Sequence, residues 1–145
     1  MSVDPTYLQK FVCFQDHSDE QRKSVAELAE AKCFYPKHTL FEENEPGEFL
    51  YLLAEGEVEV LYNISDNGPT RVDQVAAEEI VGCSALVPPY VYTSTTRSLT
   101  EIEILMIDVR ALRDLMREDC PLGFSIQQHF MRVLMDRIMN FRLGA

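Results

Sequence analysis

Residues Phe34–Tyr62, "FYPKHTLFEENEPGEFLYLLAEGEVEVLY", decide the fold of this 145-residue chain. The stretch holds short apolar runs of strand length, with turn residues between them and no helical period. Pro36 divides "KCFYPKHTLFEE" into two short strands. "GEFLYLLAEGEVEVLY" then alternates, placing Val58 and Val60 on one face and Glu57 and Glu59 on the other. Gly56 sits between the two runs and marks a tight turn or a bulge.

The same pattern continues downstream. Asn67–Gly68 in "NISDNGPT" is a hairpin signal. "TRVDQVA", "EEIVGC" and "TSTTRSLTEIEILMID" follow as further strands, so residues 32–108 read as a β-barrel or roll. Upstream, Thr6–Phe14 is a short apolar segment, and Ser18 is a candidate N-cap for a helix over Asp19–Ala31, with Val25, Leu28 and Ala29 on its apolar face. Residues 109–145 turn helical. "DVRALRDLMRED" is capped by Asp108 and stops near Pro121, and a longer helix follows it. That helix carries one stripe of Ile126, Phe130, Leu134, Ile138 and Phe141, and a second of Met131, Met135 and Met139. A roll covers one side of a helix about 10 Å across. One stripe is therefore expected on the roll and the other on a partner helix, most simply a second copy in a homodimer. Spacing alone does not say which stripe faces outward.

Charge narrows the partners. Residues 1–107 carry 7 basic and 19 acidic side chains, a net of −12, whereas residues 108–145 carry 6 and 5. Glu42, Glu43, Glu45, Glu48, Glu55, Glu57 and Glu59 follow one another with no basic residue among them. Such a surface repels nucleic acid and anionic lipid, so neither is an expected direct partner. "MSVDPTYLQK" has neither the basic nor the apolar region of a signal peptide, and no apolar run is long enough to span a membrane, so a cytoplasmic location is expected. Cys13, Cys33, Cys83 and Cys120 are scattered with no CxxC pair, and they read as reduced, mostly buried thiols.

In this setting Glu79–Ser98, "EIVGCSALVPPYVYTSTTRS", stands out: one glycine, small residues, two prolines, two tyrosines and a hydroxyl run. The order of segments, with the Pro-Gly turn of Phe34–Tyr62, "EIVGCSALV" and the closing "ALRDLMREDCPLGFSIQQHFMRVLMDRI", resembles the cyclic-nucleotide-binding domain family. This is the sensor domain of catabolite-activator-type regulators and of cAMP-dependent kinase regulatory subunits. The resemblance covers nearly the whole chain. It implies a single α+β, mainly β domain over residues 1–145. Residues 1–31 would form N-terminal helices, 32–108 an eight-stranded antiparallel roll of the cupin-like jelly-roll kind, and 109–145 two C-terminal helices.

In the family, the phosphate-binding cassette opens Gly-Glu, continues into a short helix and closes on an Arg. Backbone N–H groups at the helix start cradle the phosphate, Arg pairs with its charge, and Glu accepts from the ribose. The resemblance places Gly82 at the cassette glycine, Cys83 at the Glu position, Ser84, Ala85 and Leu86 in the short helix, and Tyr92 at the Arg position. A one-residue slip places Thr93 there instead. No acid, Lys or Arg lies between Gly82 and Thr96. Removing the charged partner costs roughly 2–5 kcal/mol. Losing the ribose contact costs about 1–3 more. At about 1.4 kcal/mol per tenfold, affinity falls by roughly two or more orders of magnitude. Arg97 should point to the opposite face from Tyr92, and Arg71 lies on an earlier strand. If the backbone cradle is intact, returning Glu at 83 and Arg at 92 should restore cAMP binding.

The expected function is a regulatory sensor domain that signals through its C-terminal helices to an effector protein, with weak or no cAMP or cGMP binding and no cofactor. The alternatives are a ligand-free interaction or dimerisation module and a sensor for an uncharged ligand. Catalysis is not expected. His17, His38 and His129 form no HxH pattern for a cupin metal and read as ordinary surface or boundary residues, and Cys83 has no His or Lys near it in sequence to act as base. The chain shows no helix-turn-helix pattern after its last helix, so output is expected through another chain or a further part of the gene product.

Overall fold

A computed structural model describes residues 3–65, 68–75 and 77–144, except the side chains of residues 12, 63–65, 68–73, 137 and 140–144. The strands are β1 (Ala29–Phe34), β2 (Thr39–Phe41), β3 (Phe49–Glu55), β4 (Val58–Ser65), β5 (Gly68–Val75), β6 (Ile80–Val81), β7 (Thr95–Ser98) and β8 (Ile102–Asp108). They form two four-stranded antiparallel sheets, in the orders β1-β8-β3-β6 and β2-β7-β4-β5. Leu50, Leu52, Ile104 and Ile107 from the first sheet and Val58, Val60 and Val75 from the second meet in one buried cluster. Alternation along β4 supplies that inward face, as the sequence implies. Gly56 makes the predicted turn between β3 and β4 at φ 92°. Ser65 pairs with Gly68 across the next hairpin, whose Asn67 lies outside the described residues.

The N-terminal segment forms 3₁₀ turns at Pro5–Lys10 and Val12–Phe14, which bury Leu8, Phe11 and Phe14 completely. Helix α1 (Asp19–Ala26) opens with a capping box in which the Ser18 side chain accepts from Gln21 N and the Gln21 side chain accepts from Ser18 N. It stops five residues short of the expected Ala31. Residues 29–31 belong to β1, where Ala29 pairs with Ile107 and Ala31 with Leu105. Pairing with β8 overrides the helix propensity of "AELAEA", and the strands begin at residue 29 rather than 32.

Helix α2 (Val109–Glu118) is capped by Asp108, whose carboxylate accepts from Ala111 N at 2.9 Å. Helix α3 (Cys120–Gly144) follows at once. The expected division of α3 into one covered and one free stripe does not hold. Leu122, Ile126 and Phe130 are buried, but Met131, Leu134, Met135, Ile138 and Met139 are all exposed. The helix runs beyond the body that covers it, so the described members of both stripes are uncovered after Phe130. The side chain of Phe141 lies outside the described residues.

Three smaller expectations also change. Cys33 and Cys120 are exposed rather than buried, while Cys13 is buried and Cys83 half-buried. Glu59 points away from Val58 and Val60 as expected, yet it is only 4% exposed. Arg97 lies opposite it on β7 and closes over it, with guanidinium contacts to Oε1 at 3.2 and 2.5 Å. His17 is buried in its turn instead of lying at the surface or its boundary.

Candidate functional site

The loop between β6 and β7 leaves the sheet at Gly82, whose φ of 85° suits a residue without a side chain. A single 3₁₀ turn, Cys83–Leu86, follows. Ala85 N donates to Gly82 O at 3.2 Å and Val87 N to Ser84 O at 3.4 Å, so these two N–H groups are used inside the turn. Ala85 is fully buried against Gly47, where an added Cβ would collide with it. The returning limb is tied to the acidic β2–β3 turn. Gly47 N donates to Tyr90 O at 2.8 Å, Tyr92 N to Glu45 O at 3.0 Å, and Asn44 N to Tyr92 O at 2.8 Å. Thr93 is exposed, and its N–H donates to Ser84 Oγ at 3.3 Å.

Tyr92 is 3% exposed and lies inside the roll. Its ring stacks on Phe41 with centroids 3.9 Å apart and planes 15° apart. Its hydroxyl donates to Phe49 O at 2.6 Å and accepts from Phe49 N at 3.0 Å. Phe49 opens β3 opposite Asp108, and Tyr92 serves the backbone groups there that no neighbouring strand takes. Tyr51 adds a further ring, 5.6 Å from Phe41. Burial above all, then the neighbouring Tyr92, pushes the Tyr51 phenol upward. Burial also raises Tyr92, against the lowering effect of its hydrogen bonds. Both phenols are therefore neutral at physiological pH, and the aromatic cluster presents no charge to a phosphate.

The loop is also held from outside. Arg113 of α2 donates from Nη1 to Ala85 O at 3.3 Å, and its guanidinium carbon sits 4.2 Å from the Tyr90 ring centroid. The structure thus gathers Gly82, Cys83, Ser84, Ala85 and Leu86 into the expected turn, with Tyr92 folded into the interior behind it. Arg97 is engaged with Glu59, and the Arg71 side chain lies outside the described residues. Sequence reasoning missed Arg113 and Tyr90, because nothing local links positions so far apart. It also missed Phe124, 68% exposed on α3, although a heptad search upstream of Met131 would have found it.

No helix among the described residues is long and apolar enough to cross a membrane. The family profile described as the cyclic nucleotide-binding domain matches residues 31–119. A CRP-like cAMP-activated global transcriptional regulator of Mycobacterium tuberculosis is 29% identical over 101 residues, which is 70% of this chain and 43% of that protein. The chain thus spans less than half the length of that curated relative. A protein of Geobacter metallireducens described as cyclic nucleotide-binding superposes with a TM-score of 0.84 at 29% identity, covering 94% of this chain and 98% of that one. The regulatory domain of Toxoplasma gondii PKA, solved with cAMP, gives a TM-score of 0.76 at 15% identity over 91% of this chain and 48% of that one, a likeness of fold alone. With the roll, the glycine-led turn and the closing helices in the same order, this chain belongs to the cyclic nucleotide-binding domain family.

Proposed function

We propose that this domain is a non-catalytic, cytoplasmic regulatory module that fills its own cradle and binds cAMP and cGMP weakly or not at all. The observation that carries this reading is the placement of Tyr92. Where the family pattern has a cation for the phosphate, this chain puts a neutral ring stacked on Phe41 and bonded to both backbone groups of Phe49. Cys83 stands where the ribose-binding acid would be. A cyclic nucleotide entering here must displace the ring and leave Phe49 unpaired, and position 92 offers its phosphate no cation in return. Melting temperature measured against rising cAMP and cGMP tests the reading. No shift is expected, and a saturable rise at micromolar ligand overturns it.

The output surface is α3, and its partner is a second copy of the chain. At about 100° per residue, Phe124, Met131, Met135 and Ile138 fall within roughly 60° of arc, with Leu134 and Met139 on either side. Leu122, Ile126 and Phe130 occupy the opposite, buried face. Large apolar side chains spaced by seven, four and three residues suit two helices packed side by side across a two-fold axis. Methionine suits an interface that shifts between arrangements. Sedimentation velocity should show a dimer at tens of micromolar, and a monomer at that concentration refutes this part. The ligand-free interaction module is the second reading, and the same stripe favours it. Under it, an effector or a second copy is the only partner and no small molecule changes the helices.

A further inference from the structure

Away from the cradle, His17 is a buried imidazole that the proposed function does not use. It is 7% exposed, and neither ring nitrogen has a hydrogen-bond partner among the described residues. Its ring lies 5.6 Å from that of Phe14, which is fully buried. The Arg22 side chain, itself buried, donates to Phe14 O at 3.1 Å and to His17 O, and it pairs with Asp19 at 2.6 Å. One guanidinium therefore ties the N-terminal turns to α1 with His17 at the knot. Just beyond, Gln21 Nε2 donates to Asp119 Oδ2 at 3.3 Å, and Asp119 Oδ1 accepts from Leu122 N at the start of α3. The N-terminal segment thus meets the junction that launches α3.

An orphaned imidazole in such a place has a cost and a consequence. A neutral ring tolerates the site, whereas an imidazolium would be desolvated beside Arg22. The charges acting on the ring are Arg22 from α1, Asp16 from its own turn and Asp119 from the α2–α3 junction. Burial and then Arg22 hold the imidazole below its ordinary pKa, and the two carboxylates only partly oppose them.

We propose that His17 is a proton-operated latch: neutral, it lets the N-terminal turns and α1 close over the α2–α3 junction, and protonated, it releases them from the base of the long helix. The sign follows from the direction of the shift. The unfolded chain takes up a proton near pH 6.5, the folded chain only at lower pH, so the closed form is fully favoured above 6.5 and is lost as pH falls toward the folded value. The latch makes no use of the cradle and stands whether or not a cyclic nucleotide binds.

Burial also lowers His129 on α3, so the test uses the full chain carrying His129→Gln, with and without His17→Phe or His17→Gln. Urea unfolding between pH 7 and 5 should show the folding constant falling by up to about tenfold per pH unit with His17 present. That steepness should be absent from both His17 variants, and the Gln variant serves if Phe does not fold. NMR of the parent should place the His17 midpoint below 6.5, with amide signals of residues 5–22 and 119–122 moving together at that midpoint while those of β4 stay fixed. Equal pH slopes with and without His17, a midpoint at or above 6.5, or a joint that stays unchanged through the titration each overturn the latch.

Discussion

Truncating Tyr92 to Phe removes one oxygen and leaves the ring. If the ring fills the cradle as described, the loss falls on the backbone. Phe49 N–H and C=O both bond to that oxygen, at 3.0 and 2.6 Å. Each group left unpaired in the interior costs about 1–3 kcal/mol. Tyr92→Phe should therefore lose about 2–6 kcal/mol, a large part of the ~5–15 kcal/mol that holds a domain folded. Tyr92→Ala also removes the ring from Phe41 and should lose about 4 kcal/mol or more. The cavity then has the shape and hydrogen-bonding of a cresol. Urea unfolding with and without p-cresol reads both effects. At tenfold excess over its Kd, p-cresol should return about 1.4 kcal/mol to Tyr92→Ala and nothing to the parent. A Tyr92→Phe protein within about 0.5 kcal/mol of the parent, the range of an ordinary surface change, would refute the plug. So would a Tyr92→Ala protein that p-cresol stabilises no more than the parent.

The paired change Cys83→Glu with Tyr92→Arg should not restore cAMP affinity, contrary to expectation from sequence, because Arg at 92 strands the Phe49 backbone and the cradle loses its internal support; low-micromolar calorimetric binding by a folded double variant would contradict this. Met135→Glu and Leu134→Glu should both give folded monomers, since both side chains are exposed on the protomer, while Ile126→Glu should unfold the chain; sedimentation and circular dichroism decide. Arg113→Ala removes the contact over Tyr90 and the bond to Ala85 O, and should cost about 1–2 kcal/mol while raising amide exchange at residues 83–90. Unchanged exchange there would mean that α2 does not hold the loop.

The roll was legible because its signals are local: alternation at Val58 and Val60, the turn at Gly56 and the cap at Asp108 each occupy a few residues. The error at residues 29–31 has a different origin. "AELAEA" favours helix by itself, and only β8, more than seventy residues away, makes it a strand. Sequence could show that the loop lacked an acid and a cation. It could not show what took their place, because the stack of Tyr92 on Phe41 and its bonds to Phe49 join positions 43 to 51 residues apart. The α3 stripe was half legible: periodicity identifies apolar faces, but where the body of the domain ends along a helix depends on the packed structure.

Isothermal titration calorimetry of the parent chain with cAMP and with cGMP decides whether Tyr92 closes the cradle. No saturable heat is expected below the high-micromolar range for either nucleotide, because the cradle holds a neutral Tyr92 where the family pattern has a cation. Saturable binding at low micromolar concentration, with loss of the Tyr92–Phe49 hydrogen bonds seen by NMR, would show that the ring yields to ligand and would contradict it.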